Sequence, residues 1–523
     1  MIVDDQSPVI AFLADPASYG GALAPVERIE THASIVFLTA DRAYKLKRAV
    51  KFSYLDYSTL ALRRKACDTE YRLNLRTAPE LYLAVRDIRR GPDGRLAFAE
   101  KGEPVDSVVV MRRFDQASLL DNVACRGGLT RALMQALADA VAEFHRMAEV
   151  DREYGGRARL LDVIDGNAAN LALASPHVFA AAAVERLTAG SQAALRRWEG
   201  MIEQRRRAGR VRLCHGDLHL RNICLIDGRP TLFDCIEFSR SLATVDVLYD
   251  LSFLLMDLIH REFPAWASFV FNRYFDRESE VEGAALLPLF MSMHAAIRAH
   301  VTVAAPEAQP GGKAFERASQ EARGYLDVAL SLLLTREPQI LAIGGPSGTG
   351  KSSLAYAIAP DLGHRPGARV LRSDVMRKRL MGVAPETRLP PAAYTPAANR
   401  SVYAALMDEA RRLAANGQSV ILDAVFARRE EQEAAAALGG AASVGFRGIW
   451  LNAPLAVMEA RVQARSGDAS DATVEVIRQQ IRTLERPADW LSLDAAGSPE
   501  EILAGARKIM AEGAAEPDRP LPF

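Results

Sequence analysis

Cysteine is scarce and scattered in this 523-residue chain: five thiols, Cys67, Cys125, Cys214, Cys224 and Cys235, with no CxxC pair. Their odd number and wide spacing argue against a disulfide framework or a zinc site and for free thiols in a reducing compartment. An excess of one charge is also missing, since Lys plus Arg and Asp plus Glu each total 65. That balance gives no global reason to bind nucleic acid or an anionic membrane, and leaves only a local basic cleft for such a role. Residues 1–20 lack a basic start followed by an apolar core, so no secretory signal is read there. The most apolar long stretch, 245–259, carries Asp246, Asp250 and Asp257 and is too short to span a bilayer. A cytoplasmic protein with no membrane partner is expected, and the lack of a repeat argues against a solenoid.

What is there exceeds one hydrophobic core, so two or more domains are expected. Hydrophobic residues make up 49% and charged residues 25%, the balance of an ordinary globular chain. A Pro- and Gly-rich break at 304–313 precedes a helical pattern over 314–334 and a polar joint at 335–339. These place a boundary near residue 336, giving domains 1–335 and 336–523. In the first, strand patterns at 34–39, 43–47, 81–88 and 107–114 surround a helix at 60–75, forming a small lobe of about 1–114. From 130 the pattern turns helical, with Leu133, Leu137, Val141 and Phe144 at helical spacing, and a helical lobe covers 115–335. The second domain alternates strand and helix, the mark of a parallel sheet. The fold class is α/β: a bilobal α+β domain followed by an α/β domain with a parallel sheet.

The most informative segment is LCHGDLHLRNICLIDGRPTLFDCIEF, 213–238. Asp217 and Asn222 are separated by four residues, the spacing of a catalytic loop in which Asp takes a hydroxyl proton and Asn holds Mg²⁺. A strand at 223–226, an Asp227-Gly228 turn and a strand at 231–233 then return Asp234 beside Asn222. The segment resembles the aminoglycoside and choline kinase group, whose loop reads HGD-x-H-x-x-N. The resemblance implies that Asp217 is the base, that Asn222 and Asp234 bind Mg²⁺, and that His215 and His219 support the loop. It also implies a phosphate-binding lysine on the 42–48 strand, where Lys45 and Lys47 share a face; Lys47 aligns better and Lys45 is the reserve. Glu70 is placed to pair with it. The loop 31–34, where the family covers the ATP phosphates, has no glycine, which leaves Ser34 to offer its N–H and hydroxyl. The stretch VVVMRRF, 108–114, looks like the inter-lobe hinge that would hold adenine, with Met111 at its centre. For the lysines and Glu70 the plainer reading is a solvated charge, and for Met111 a buried strand residue.

In the second domain Gly345-Pro-Ser-Gly-Thr-Gly-Lys-Ser352 satisfies G-x-x-x-x-G-K-[ST] between an apolar strand and a helix. Gly345, Ser347, Gly348, Thr349, Gly350 and Ser353 would cradle phosphates, Lys351 would reach the terminal ones, and Ser352 would ligate Mg²⁺. The strand 419–423 ends in Asp423, a second Mg²⁺ contact. Ser373-Asp374 with Arg377 resembles polynucleotide kinases, zeta toxins and gluconate kinases, which implies that Asp374 activates the acceptor hydroxyl and Arg377 binds substrate. Helix capping is the structural alternative for Asp374. Arg461 and Arg465, at i and i+4, look like the lid arginines of small P-loop kinases.

The two halves together resemble bacterial fusions of an aminoglycoside-phosphotransferase-like domain with a P-loop kinase-like domain. A bifunctional kinase using ATP and Mg²⁺ on small-molecule hydroxyls is therefore expected. In the alternatives, one half, the N-terminal one first, is a regulatory nucleotide-binding module, or the P-loop half phosphorylates a nucleotide or nucleic acid through Arg377, Lys378 and Arg379.

Overall fold

The computed structural model describes residues 4–20, 25–52, 55–174, 177–304, 312–442, 444–464 and 469–512. It divides into two compact units, residues 1–257 with 294–326, and residues 258–293 with 327–523. The division differs from a single cut near 336, because 258–293 belongs with the P-loop half.

The first unit opens with strands β1 (Glu27–Glu30), β2 (Ser34–Leu38), β3 (Arg42–Lys47), β4 (Tyr82–Arg90), β5 (Leu96–Ala97) and β6 (Glu103–Arg112), an antiparallel sheet in the order β1-β2-β3-β6-β4-β5. Alternation along β3 sends Tyr44 and Leu46 to a core with Val9 and Leu13, while Ala43 joins Cys67, Val109 and Met111 on the opposite face. The helix Leu60–Asn74 is capped by Thr59, whose Oγ1 accepts from Leu62 N–H, and it buries Arg63, Ala66, Cys67, Glu70 and Asn74, one stripe at helical spacing. Three polar residues on that stripe need partners. Arg63 finds Asp106 at 3.0 Å, and Gln6 Nε2 donates to the same carboxylate at 2.7 Å.

Beyond β6 the unit is mainly helical, with Arg131–Met147, Gly156–Leu173, Ala181–Arg207 and Val247–His260 as its long helices. Strand β7 (Val211–Leu213), the hairpin β8 (Ile223–Ile226) and β9 (Arg229–Leu232), and β10 (Thr244–Asp246) frame the HGD loop. The hairpin turn forms as read from sequence, with Asp227 and Gly228 at φ 50° and 77°.

The second unit is a parallel sheet of β11 (Gln339–Gly344), β12 (Arg369–Arg372), β13 (Val420–Asp423), β14 (Gly445–Asn452) and β15 (Leu491–Asp494) in the order β12-β13-β11-β14-β15. Strand β12 is an edge. Its Arg369 N–H points inward to Ser419 O, so Ala368 O and Val370 N–H face outward. The helix Pro264–Glu278 satisfies both: Asn272 Nδ2 donates to Ala368 O at 3.1 Å and Asn272 Oδ1 accepts from Val370 N–H at 2.7 Å. A side-chain amide thus takes the place of a neighbouring strand and closes the edge. Arg369, 2% exposed, donates to Asn272 Oδ1 at 3.1 Å and pairs with Asp276. Residues 282–303 are long and apolar enough to cross a membrane, but 67% of that window is buried within the fold, as in a core helix.

Removing the Asn272 amide leaves two buried backbone groups unsatisfied, each at about 1–3 kcal/mol. Asn272→Leu should therefore lower the urea midpoint of the P-loop unit by an amount equivalent to about 2–4 kcal/mol. A fragment beginning at residue 336 also strips Asp276 from buried Arg369, and is expected to lack a cooperative melt by circular dichroism.

Candidate functional site

In the first unit a cluster of buried charge sits under β3. Lys45 Nζ lies 2.8 Å from Glu70 Oε1 and 2.5 Å from Asp234 Oδ1. Burial opposes the charge on Lys45, but Asp234 and Glu70 outweigh it and raise its pKa above the ordinary lysine value. Lys47, on the same face, pairs with Glu70 and Glu237, and Tyr57 OH donates to that Glu237 at 2.6 Å. Its side chain is 2% exposed against 13% for Lys45. The preference for Lys47 is thus corrected: it is locked into an internal pair, and Lys45 is the lysine beside Asp234.

Asp234 has φ 63°, a strained value for a residue with a side chain, and its N–H donates to Tyr82 OH at 3.2 Å. The next N–H, of Cys235, donates to Asn74 Oδ1, and Asn74 Nδ2 donates to Glu70 O. The helix that carries Glu70 therefore also fixes the backbone of Asp234. Asn222 Nδ2 donates to Asp217 O at 2.9 Å and to Asp217 Oδ2 at 2.8 Å, which leaves Oδ1 free to meet a cation. An amide oxygen with the carboxylate of Asp234 is an all-oxygen donor pair of the kind Mg²⁺ takes. Burial pushes the Asp217 carboxyl up, but His219 at 3.4 Å, Arg298 and His215 outweigh this and hold it below the usual carboxylate range.

The loop is held from behind. His215 Nε2 bonds Phe233 O at 2.9 Å, and Asp250 accepts from His215 N–H, Gly216 N–H and His145 Nε2. Two expectations fail nearby. Ser34 N–H already donates to Thr31 Oγ1 at 3.0 Å and the residue is 4% exposed, so its N–H is not open to a phosphate. The N–H groups of Arg112 and Arg113 are spent on Leu81 O and Asp41 O, and Met111 contributes a buried side chain to the apolar cluster with Ala43 and Ile226 rather than a hinge backbone.

In the second unit the glycine loop closes β11. Gly345 has φ 134°, and a Cβ there would lie 2.5 Å from Leu451 O, which excludes any side chain. Lys351 Nζ donates to Pro346 O at 2.9 Å, and Ser347 N–H to Gln480 Oε1 at 2.8 Å. Ser352 Oγ donates to Asp423 Oδ2 at 2.5 Å, joining the two oxygen ligands expected of a Mg²⁺ site. A cavity of about 1170 Å³ opens over them, and Gly348, Gly350, Ser353, Asp374, Arg377 and Arg461 also line it. Thr349 is fully buried, with its hydroxyl on Pro346 O. The cap position of the helix Ser373–Leu380 falls on Arg372 with no side-chain cap bond, so Asp374 does not cap the helix. Burial raises the Asp374 pKa, with Arg372 offsetting part of the rise.

Arg461 donates to Ala495 O at 2.8 Å and reaches Thr349 O at 3.5 Å; Arg465 lies outside the described residues. Arg377 departs from expectation. Its guanidinium donates to Ala393 O and Asn399 Oδ1, both at 2.8 Å, and covers the Tyr394 ring, so it is spent on structure. Lys378 pairs with Asp471 and Arg379 with Glu409, so the basic run is not an exposed phosphate-binding patch. Sequence reasoning missed Gln480, Tyr394, Arg388, Arg428 and Glu431, which line the cavity from loops and helices with no motif.

Residues 100–285 match the model of the phosphotransferase enzyme family, and residues 340–487 match an AAA domain. Uncharacterized proteins of Mycobacterium tuberculosis and Mycobacterium bovis are each 30% identical over 501 residues, 92% of this chain and 94% of theirs. Among solved structures, a choline/ethanolamine kinase family protein from Mesorhizobium loti is 16% identical, with 62% of this chain and 97% of that one covered and a TM-score of 0.37. A gluconokinase from Sinorhizobium meliloti is 22% identical, with 34% and 94% covered and a TM-score of 0.26. The chain belongs to the same family as the two mycobacterial proteins, and it is a kinase that joins an aminoglycoside-phosphotransferase-like domain to a P-loop kinase-like domain.

Proposed function

We propose that the protein is a bifunctional, ATP- and Mg²⁺-dependent phosphotransferase, each unit moving the γ-phosphoryl group of ATP to a hydroxyl of its own small-molecule acceptor. The observation that carries this reading is that each unit gathers a base, a phosphate-reaching lysine and oxygen ligands for a cation: Asp217, Lys45, Asn222 and Asp234 in one, Asp374, Lys351, Ser352 and Asp423 in the other. Mg²⁺, when bound, neutralises charge on the β- and γ-phosphate oxygens.

In each site the acceptor oxygen forms a bond to the γ-phosphorus, the bond to the bridging oxygen breaks, the hydroxyl proton passes to the Asp, and ADP leaves. The two bases differ. Asp217 is held more acidic than usual and takes the proton late, as suits a loose phosphoryl-transfer transition state in which positioning dominates. Asp374 is less acidic than usual and can hold the proton more firmly. Arg461 is suited to meet charge on the transferring group from the P-loop side.

One observation favours a second reading for the first unit. Its phosphate-covering loop has no glycine and Ser34 has already spent its N–H, features of a nucleotide sensor that turns over slowly or not at all.

Several measurements bear on these readings. ADP release by the full-length protein with a metabolite mixture should fall partly in Lys351→Ala and in Asp234→Ala, and vanish only in the double variant; complete loss in Lys351→Ala alone supports the sensor reading. Lys45→Met should cut first-site turnover by about 10²-fold or more with little change in melting. Lys47→Met should instead destabilise the unit by about 3–5 kcal/mol, because it leaves Glu237 buried without its cation. In an Asp234→Ala background the acid limb of the rate should sit at higher pH than an ordinary aspartate would give, since Asp374 must be deprotonated to act, and Asp374→Asn should cost about 10²–10⁴-fold.

A further inference from the structure

Five cationic side chains line the P-loop cavity: Lys351, Arg377, Arg388, Arg428 and Arg461. Three have work within the fold, Lys351 on Pro346 O, Arg377 on Ala393 O and Asn399, and Arg461 on Ala495 O. Among the described residues the guanidinium groups of Arg388 and Arg428 make no hydrogen bond or ion pair, and both residues are exposed.

Sheet order places these two. In β12-β13-β11-β14-β15 the glycine loop follows the central β11. Asp374 and Arg388 come from the chain after β12, and Arg428 from the chain after β13, so all three lie to one side of the glycine loop. Arg461 comes from the helix after β14, on the other side. The free arginines therefore share the flank of Asp374, in the crevice at the carboxyl ends of the strands where ligands of open α/β sheets bind. The segment bearing Arg388 is anchored on both sides of it, by Lys378 on Thr387 O and by Leu389 N–H on Asp471 Oδ2 at 3.1 Å. Glu431, also on this flank, accepts from Arg428 N–H at 3.3 Å and from Tyr403, and its charge faces Arg428.

We propose that the acceptor of the P-loop unit is an anion, a polyhydroxylated compound bearing a carboxylate or phosphate group, whose anionic end docks on Arg388 and Arg428 while one hydroxyl meets Asp374. The proposal rests on the kinase reading of this site and names its substrate class. A neutral acceptor would desolvate the Arg388 guanidinium with nothing to pair it and leave Arg428 only the nearby charge of Glu431, whereas a planar carboxylate or a phosphate satisfies their forked donors. It also moves the anion-binding role from Arg377, which is committed, to two residues outside any motif.

The test uses full-length protein carrying Asp234→Ala, which silences the first unit. ADP release is followed with four mixtures: aldonic acids, sugar phosphates, neutral polyols and amino sugars. We expect stimulation by the aldonic acids or by the sugar phosphates, which separates carboxylate from phosphate. Arg388→Gln and Arg428→Gln should each raise the KM for that mixture about tenfold or more, with the Kd for ATP unchanged, and Arg→Lys should recover part of the loss. Stimulation by neutral polyols or amino sugars, silence with all four mixtures, or arginine variants that weaken ATP binding instead would overturn the assignment. Lys351→Ala is measured alongside in the same Asp234→Ala background: acceptor-stimulated ADP release that survives it overturns the kinase reading of the P-loop site, a different failure from a neutral acceptor.

Discussion

Charge taken out of water has to be balanced, and in the first unit one carboxylate does most of the balancing. Glu70 is fully buried and faces two ammonium groups, Lys45 and Lys47. Each lysine has a second carboxylate, Asp234 for Lys45 and Glu237 for Lys47, but Glu70 meets both, and it could not sit there without them, since an unpaired buried ion costs several kcal/mol. The cluster fixes the rotation of the helix Leu60–Asn74 about its axis, and through Asn74 the same helix grips the backbone after Asp234. Sheet, helix and the strip that carries Asp234 are thus held by one set of ion pairs. Lys45 has two carboxylate neighbours, and it is the member open enough to exchange one of them for a phosphate oxygen.

The P-loop unit gathers its polar groups, Lys351, Ser352, Asp374 and Asp423, at or beyond the ends of β11, β12 and β13. Its glycine loop permits no substitution at Gly345, because the backbone of Leu451 lies against it. Around this fixed centre the arginines divide into those that brace loops and those that do not, a division that only their partners reveal.

The arrangement of the candidate residues was legible in the sequence wherever a short stretch fixes the geometry. The HGD loop with its hairpin and the glycine loop each lie within about 26 residues or fewer, so spacing alone places their side chains. The rest depends on long-range packing. Lys45 and Lys47 share a face of β3, and what separates them is Glu237, 190 residues from Lys47. Arg377 reads as a substrate ligand by position, yet Asn399 and the turn at Ala393 claim it. The division near 336 follows composition faithfully but cannot register that Asn272 mimics a strand, since an amide on a helix carries no periodic signal. The lining of the acceptor flank, Arg388 and Arg428, falls in loops, where sequence pattern says least.

The place of the helix Pro264–Glu278 bears on how this protein is made. Synthesis is vectorial, and Asn272 leaves the ribosome 97 residues ahead of Arg369, the arginine it contacts. The helix must wait, its apolar face and its amide unmatched, while the last helix of the first unit and the entire glycine loop emerge. Neither unit is contiguous in order of synthesis: the first is complete only at residue 326, and the second only once its early segment, 258–293, meets the strands made after it. The gene order that suggests two independent cassettes is therefore a poor guide to assembly, and folding of the second unit is a reunion of early and late segments.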